Sequence, residues 1–362
     1  MEDYKTYISE RENMDLFLSR YETLVCYEPP SSRIKKRIPK NLRICRFCQK
    51  KSPDVFFKNE PHIIPELLGK NFGVSDFECD NCNQHFSRYE TDFADFLGLV
   101  RSFYFTQGKG NIPTFKSPGE SLVARIETIQ GGTKAMEISD NDKGAITIDT
   151  ETGETKITYL KNSYTPINVF KSLIKIALTV LPENEFRFYG EINHFICDEE
   201  NHEYYAQFAQ VLSYTTTERR EHPCCYIFQR KQDIYDVPKH VFLLYFENFI
   251  YQMFIPRYAF DEPLYSLGKF TSYYCPPILL KADDSYKTCG SEIIDLTGTA
   301  LVRKEKGILS YKIDPKLFAN AKIIDPISKE KTNFNPNGIV KIKIFKIDEH
   351  FDQERFEAGE GY

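Results

Sequence analysis

Histidine is scarce in this chain, with seven in 362 residues. Side chains that exchange protons near neutral pH are therefore confined to a few positions. Tryptophan is missing altogether. A long, uninterrupted apolar run is missing too. The most apolar stretch, VFLLYFENFIYQMFIP from Val241 to Pro256, contains Glu247, Asn248 and Gln252. A membrane span needs about 20 mostly apolar residues, so this run reads as a buried helix or strand pair. The first residues, MEDYKTYISERENMD, are charged from the start and do not read as a signal peptide. The expectation is a cytoplasmic protein with no membrane partner. A strong net charge is also lacking: 47 Lys and Arg against 52 Asp and Glu leave −5. The total does not announce a nucleic-acid binder, so the distribution of charge has to decide. No internal repeat and no low-complexity tract occurs.

What is present is a globular composition, 41% hydrophobic and 27% charged, enough to bury a real core. The length favours two domains, or one large domain with an appended module. Of ten cysteines, four form two Cys-x-x-Cys pairs, Cys45 with Cys48 and Cys79 with Cys82. Without a secretory signal such pairs point to metal more than to disulfides. From Ser31 to Lys51 there are nine basic residues and no acidic one. Alone this would be a solvated basic loop. Because it spans the first cysteine pair, Arg33, Lys35, Lys36, Arg37, Lys40 and Arg43 become candidates for phosphate contacts.

Along the chain, residues 3–25 carry apolar residues near helical spacing (Met14, Leu16, Phe17, Tyr21, Leu24), which predicts one or two short helices. Residues 1–39 make an N-terminal helical and basic segment, and 40–110 the cysteine module. The Gly- and Pro-rich stretch from Gln107 to Glu120 marks a boundary, and 120–362 form a larger mixed α+β domain. In that domain Ala145–Leu160 alternates around a glycine turn and predicts a β-hairpin. Thr165–Pro182 predicts a helix, with Thr165 as N-cap, Pro166 at the first position and a stripe of Val169, Phe170, Leu173, Ile174, Ala177 and Val180. Asn337–Asp348 predicts a strand with its lysines outward.

Thirty residues separate the two cysteine pairs. Zinc takes four soft ligands in a tetrahedron, and each CxxC turn offers two at one corner, so the four thiolates read as a structural zinc site. A module this small is a plausible candidate for a metal staple. The insert holds NEPHIIPELLGK, with His62 between Pro61 and Ile63 on a short strand that Pro65 ends. After Cys82 a helix begins, with Phe86, Tyr89, Phe93, Phe96 and Leu97 on its apolar side. Asn83 and Glu90 share another face, two turns apart.

The ordered set C-x2-C, H-I-I-P-E-x-L-G and C-x2-C-N-x-x-F resembles the zinc-bound subgroup of the HNH (ββα-metal) endonucleases, over roughly residues 40–100. The resemblance implies a zinc-stapled ββα-metal module, followed by the larger α+β domain. It implies DNA as substrate and His62 as general base. It also implies Mg²⁺ or Mn²⁺ on the scissile phosphate, with the cysteine zinc as scaffold. Soft thiolates suit zinc and not Mg²⁺. The sequence departs from the family just before the base, where most members carry Asp, Glu or His and this chain has Pro61. The resemblance maps Asn83 onto the last metal position. Glu60 and Glu90 are the next candidates, then Glu66. Arg88 stands as a nucleic-acid contact, with a plain surface arginine as the alternative; His85 reads as surface or DNA-facing. A non-catalytic zinc-finger-like binder with a degenerate site is the second reading.

Other features read as bland. His194, Cys197, His202, His222, Cys224 and Cys225 gather at irregular spacings and default to buried thiols and surface histidines rather than a second metal site. Arg303, Lys304 and Lys306 read as a solvated turn, and the aromatic run Phe242–Phe260 as core. By analogy with HNH modules joined to larger domains, the expected role is an effector of bacterial antiphage defence. The C-terminal domain would control it through a regulatory protein, a nucleotide ligand or a homodimer.

Overall fold

The structure, a computed structural model, describes residues 10–28, 37–71, 73–108, 110–128, 134–142, 144–197, 205–232, 234–256, 258–261, 263–264, 288–318, 322–324, 331–333 and 341–345. It is mixed α+β, with antiparallel pairing in every sheet. Two compact units interleave along the chain: Met1–Phe93 with Thr165–Leu301, and Ala94–Tyr164 with Val302–Tyr362. The units do not follow a cut near residue 110. The helix expected beyond that cut belongs with the cysteine module. Among the described residues no helix is long and apolar enough to cross a membrane.

The first unit is built on two long strands, Gln210–Arg230 and His240–Phe254, paired antiparallel with register shifts between Thr215, Arg220 and Cys224. The most apolar run of the sequence is thus one strand, not a helix or a strand pair. Its β-branched and aromatic residues suit a pleated surface. Both faces are covered for most of its length, so no alternation was needed. Thr288–Asp295 and Tyr21–Tyr27 pair with opposite ends of Gln210–Arg230. The helical spacing over residues 21–25 does not produce a helix there. The helix spans Glu10–Arg20, and YETLVCY takes an edge of the sheet instead. Phe17, Tyr21, Tyr214, Tyr226, Phe228, Leu243 and Tyr245 fill the core beneath.

The expected 165–182 helix spans Pro166–Val180, with Thr165 at the N-cap position and Pro166 first. Its stripe is buried except for the half-buried Val180, and so are Lys171 and Lys175 on another side. In the second unit the expected hairpin is present as Ile146–Ile148 against Glu154–Leu160, with Lys306–Lys312 on the far edge. Lys341–Phe345 is a strand with Lys341 and Lys343 exposed, pairing with Lys134–Asp140. Leu99, Phe115, Met136, Ile138, Ile157 and Tyr159 form that unit's core.

Candidate nuclease site

The site begins with the first cysteine turn. Gln49 N–H donates to Cys45 O (2.8 Å) and Cys45 N–H to Lys50 O (2.8 Å), closing a knuckle in which Gln49 adopts φ 58°. The second pair lies at the start of the Asp80–Leu97 helix. Asp80 fixes that helix start: its carboxylate accepts from Lys58 N–H (3.1 Å) and Asn59 N–H (2.9 Å). The four Sγ atoms of Cys45, Cys48, Cys79 and Cys82 lie within 4.8 Å of one another. Cys45 to Cys82 is 3.7 Å and Cys48 to Cys79 is 3.8 Å. A tetrahedron with Zn–S of about 2.3 Å has S···S edges of about 3.8 Å, so the cysteines fit zinc. Hydrogen bonds from Cys45 and Cys82 draw the Cys79 thiol down, and the hydrogen bond with Cys79 pushes Cys45 up.

Between the pairs, the His62 segment forms the expected short strand. Ser75 N–H donates to Pro61 O (2.8 Å), Ile63 N–H to Gly73 O (3.0 Å), and His62 bridges Val74. Gly73 has a steric reason to be glycine: an added Cβ would lie 1.3 Å from Tyr27 Oη. Glu66–Leu68 then makes a short 3-10 turn that ends at Gly69, φ 131°.

The imidazole is held by Asn71, which is 3% exposed. Asn71 Nδ2 donates to Ile64 O (2.9 Å) and Gly69 O (3.3 Å), so its Oδ1 faces His62 Nδ1 at 3.2 Å. An amide oxygen only accepts, so Nδ1 carries the proton and Nε2 keeps its lone pair. Nε2 lies 3.4 Å from Glu66 Oε1, and both side chains are about a quarter exposed (23% and 25%). The result is an oriented, solvent-reached imidazole whose second nitrogen, beside Glu66, is the one that can accept a proton.

Of the remaining candidates, Arg33, Lys35 and Lys36 lie outside the described residues. Arg37 binds Glu60 (2.7 Å) and Asp76 (2.8 Å). Arg43 binds Asp76 (2.7 Å) and Ile38 O (2.8 Å) and is 4% exposed, an internal brace rather than a phosphate contact. Burial works against Asp76, but hydrogen bonds from Arg37 and Ile38 N–H, with Arg43 beside them, hold its carboxyl below the usual range. Lys40 Nζ donates to Lys58 O (3.0 Å). Arg88 turns onto His85 Nδ1 (3.1 Å) and Tyr89 Oη (3.2 Å). His85 itself faces inward, Nε2 donating to Ile196 O at 3.0 Å. Glu90 lies 3.7 Å from Lys175 Nζ. Asn83, on the first turn of the helix and half-buried, has no side-chain hydrogen bond among the described residues. In the other cysteine–histidine group, Cys224 and Cys225 are buried in the long strand. Among the described residues only the four-cysteine cluster gathers metal ligands of this kind.

Three residues were not foreseen. Asn71 stood in plain view within GKN, but no spacing rule tied it to His62. Glu78 and Lys175 form a buried pair at 3.1 Å, with side-chain exposures of 0% and 1%. Burial raises the Glu78 carboxyl, and Glu78 and Glu90 together more than offset burial to hold Lys175 protonated. The one signal for Lys175 was its position four residues after Lys171 in a helix with no other charged residue. Such a pair reads as a solvated face.

The module is bolted to helices that come later in the chain. Arg46, inside the first cysteine turn, donates from Nη1 to the carbonyls of Leu178 (2.8 Å), Thr179 (3.0 Å) and Leu181 (2.9 Å) at the end of the Pro166–Val180 helix. Asn193 Nδ2 donates to Phe47 O at 3.0 Å. No curated protein and no solved structure matches this chain. Residues 45–94 match the family model of the HNH endonucleases, which supports a nuclease function and implies a DNA substrate.

Proposed function

We propose that the protein hydrolyses DNA phosphodiester bonds, with His62 Nε2 as general base. The observation that carries this reading is the Asn71–His62 contact, which fixes the ring and turns the opposite nitrogen, Nε2, to the Glu66 side of the site. His62 takes the proton from the attacking water, and Asn71 Oδ1 stabilises the imidazolium that forms. A hard divalent cation, Mg²⁺ or Mn²⁺, would neutralise charge building on the phosphate oxygens. Asn83 and Glu66 are the oxygen donors that no lysine or arginine engages among the described residues. Two such donors suit Mg²⁺, which keeps waters and shares substrate phosphates. Glu60 and Glu90 would have to leave Arg37 and Lys175 first. The zinc site is scaffold. We also propose that the chain outside the module controls cutting, in keeping with a partner- or nucleotide-activated effector in antiphage defence. The contacts of Arg46 and Asn193 with later helices support such control.

A second reading, a DNA-binding module that does not cut, is favoured by Pro61, which offers no side-chain ligand beside the base. Plasmid cleavage with and without Mg²⁺ or Mn²⁺, on wild type and His62→Ala, separates the two. Cutting by wild type alone, with zinc retained by both, supports the nuclease. A zinc-loaded wild type that binds DNA and never cuts it supports the second reading.

A further inference from the structure

The buried Lys175–Glu78 pair behind His62 has no role in the chemistry above. Lys175 Nζ lies 3.1 Å from Glu78 Oε2, 3.7 Å from Glu90 Oε1 and 3.4 Å from the backbone oxygen of His62. One N–H of the ammonium donates to the His62 oxygen, and the two carboxylates lie beside it as ion-pair partners. The three partners come from three separate segments: the strand of the base, the approach to Cys79, and the helix that bears Asn83. We propose that Lys175, 113 residues from His62 in sequence, is a positioning residue of the nuclease site. From its helix it would fix the strand of His62 against the helix of Asn83, with Glu78 as its counter-ion.

Two physical arguments support this. First, the His62 strand is held weakly by its own ladder. It has one bridge, to Val74, with flanking bonds at Pro61 and Ile63, and an isolated hairpin is marginal in water. An anchor on its carbonyl is what it lacks. Second, a buried ion pair contributes little net stability, since desolvating both charges offsets their attraction. A residue placed there for stability alone would do as well if it were apolar; what the charge adds is direction. The anchor is itself fixed. Arg46, from the zinc turn, grips the carbonyls of Leu178, Thr179 and Leu181, about one turn beyond Lys175. Lys175 is therefore held in register with the zinc knuckle, and the base strand with both.

The inference rests on the nuclease reading for its kinetic test, and has a second readout that does not. Lys175→Met alone leaves Glu78 buried without a partner and is a poor reporter. The informative variant is Lys175→Met with Glu78→Gln, which removes both charges at similar volume. In the full-length, zinc-loaded protein we expect zinc content and melting temperature close to wild type. We expect kcat on plasmid DNA to fall about ten- to hundredfold, as a small misplacement of a reacting group does, with KM within about threefold. Wild-type kcat in a folded double variant overturns the proposal. If the double variant loses its zinc, Lys175→Arg, which keeps the charge but not the geometry, is judged by the same criterion. The second readout is the ¹⁵N resonances of the His62 ring, expected to shift in the variant as its contact with Asn71 loosens. If wild type cuts no DNA with any metal, the nuclease reading has failed on its own. Unchanged ring resonances would then refute the anchoring, and shifted ones would support it.

Discussion

Arg46→Met is the perturbation whose size can be worked most directly from the contacts. Arg46 is 7% exposed, its guanidinium carbon 5.0 Å from the Phe77 ring centre and 4.9 Å from that of Phe186. Nη1 has two hydrogens and three carbonyl acceptors, so the contacts amount to about two full hydrogen bonds from a charged donor. At about 1.5–3 kcal/mol each they contribute about 3–6 kcal/mol. The pair with Glu183 (3.1 Å) adds little, because that carboxylate is 74% exposed. Methionine keeps the apolar contact with the two rings and deletes the donors, leaving the end of the Pro166–Val180 helix with buried carbonyls. Because Arg46 sits between Cys45 and Cys48, about 2 kcal/mol of the loss passed to the metal site would weaken zinc about thirtyfold. Urea unfolding in excess zinc measures the first quantity, and competition with a chelator of known affinity the second. A stability change under about 1 kcal/mol together with wild-type zinc affinity would show that the module stands without this bolt.

Asn71→Ala removes the acceptor of His62 Nδ1 and two donors to backbone carbonyls. We expect about 2–3 kcal/mol lower stability from three bonds near 1 kcal/mol each. Plasmid cleavage should fall about tenfold or more yet stay above that of His62→Ala; wild-type cutting would rule out the orienting role. Stripping zinc with a chelator should abolish cleavage even when Mg²⁺ is resupplied, with recovery on adding zinc, because thiolate zinc sites carry folding free energy. His240 is fully buried, its Nδ1 hydrogen-bonded to Tyr189 Oη (2.7 Å). Burial, then the charges of Lys239 and Arg230, push its pKa down to about 3. An unfolded histidine titrates near about 6.5, so between these values the unfolded state binds more protons and stability is lost as pH falls. From about pH 7.5 to about pH 5 the loss should be about 2 kcal/mol. His240→Gln should lack that slope in urea melts run beside wild type, where zinc loss cancels in the comparison.

Local chemistry was legible wherever one short segment contained all of it. The two CxxC turns, the strand of His62, the helix after Cys82, the Ile146–Leu160 hairpin and the Pro166–Val180 helix are such segments. In each, spacing, caps and alternation report contacts made within a few residues. The apolar run at 241–256 was less informative, because a strand covered on both faces has no period to distinguish it from a helix. Tyr21–Tyr27 was misread because the partner that makes it an edge strand, Gln210–Arg230, lies far along the chain.

By itself the sequence picked out the four cysteines that cluster and the candidate base, since thiolate pairs and a lone imidazole carry their chemistry with them. Only the tertiary structure decided which partners surround that base. Asn71, Glu66, Glu78 and Lys175 act through distance and direction, and these depend on how remote segments pack. It also decided that Arg43 and Lys175 are interior residues. A charged side chain is written the same way whether it meets water or a buried carboxylate, and only packing determines which.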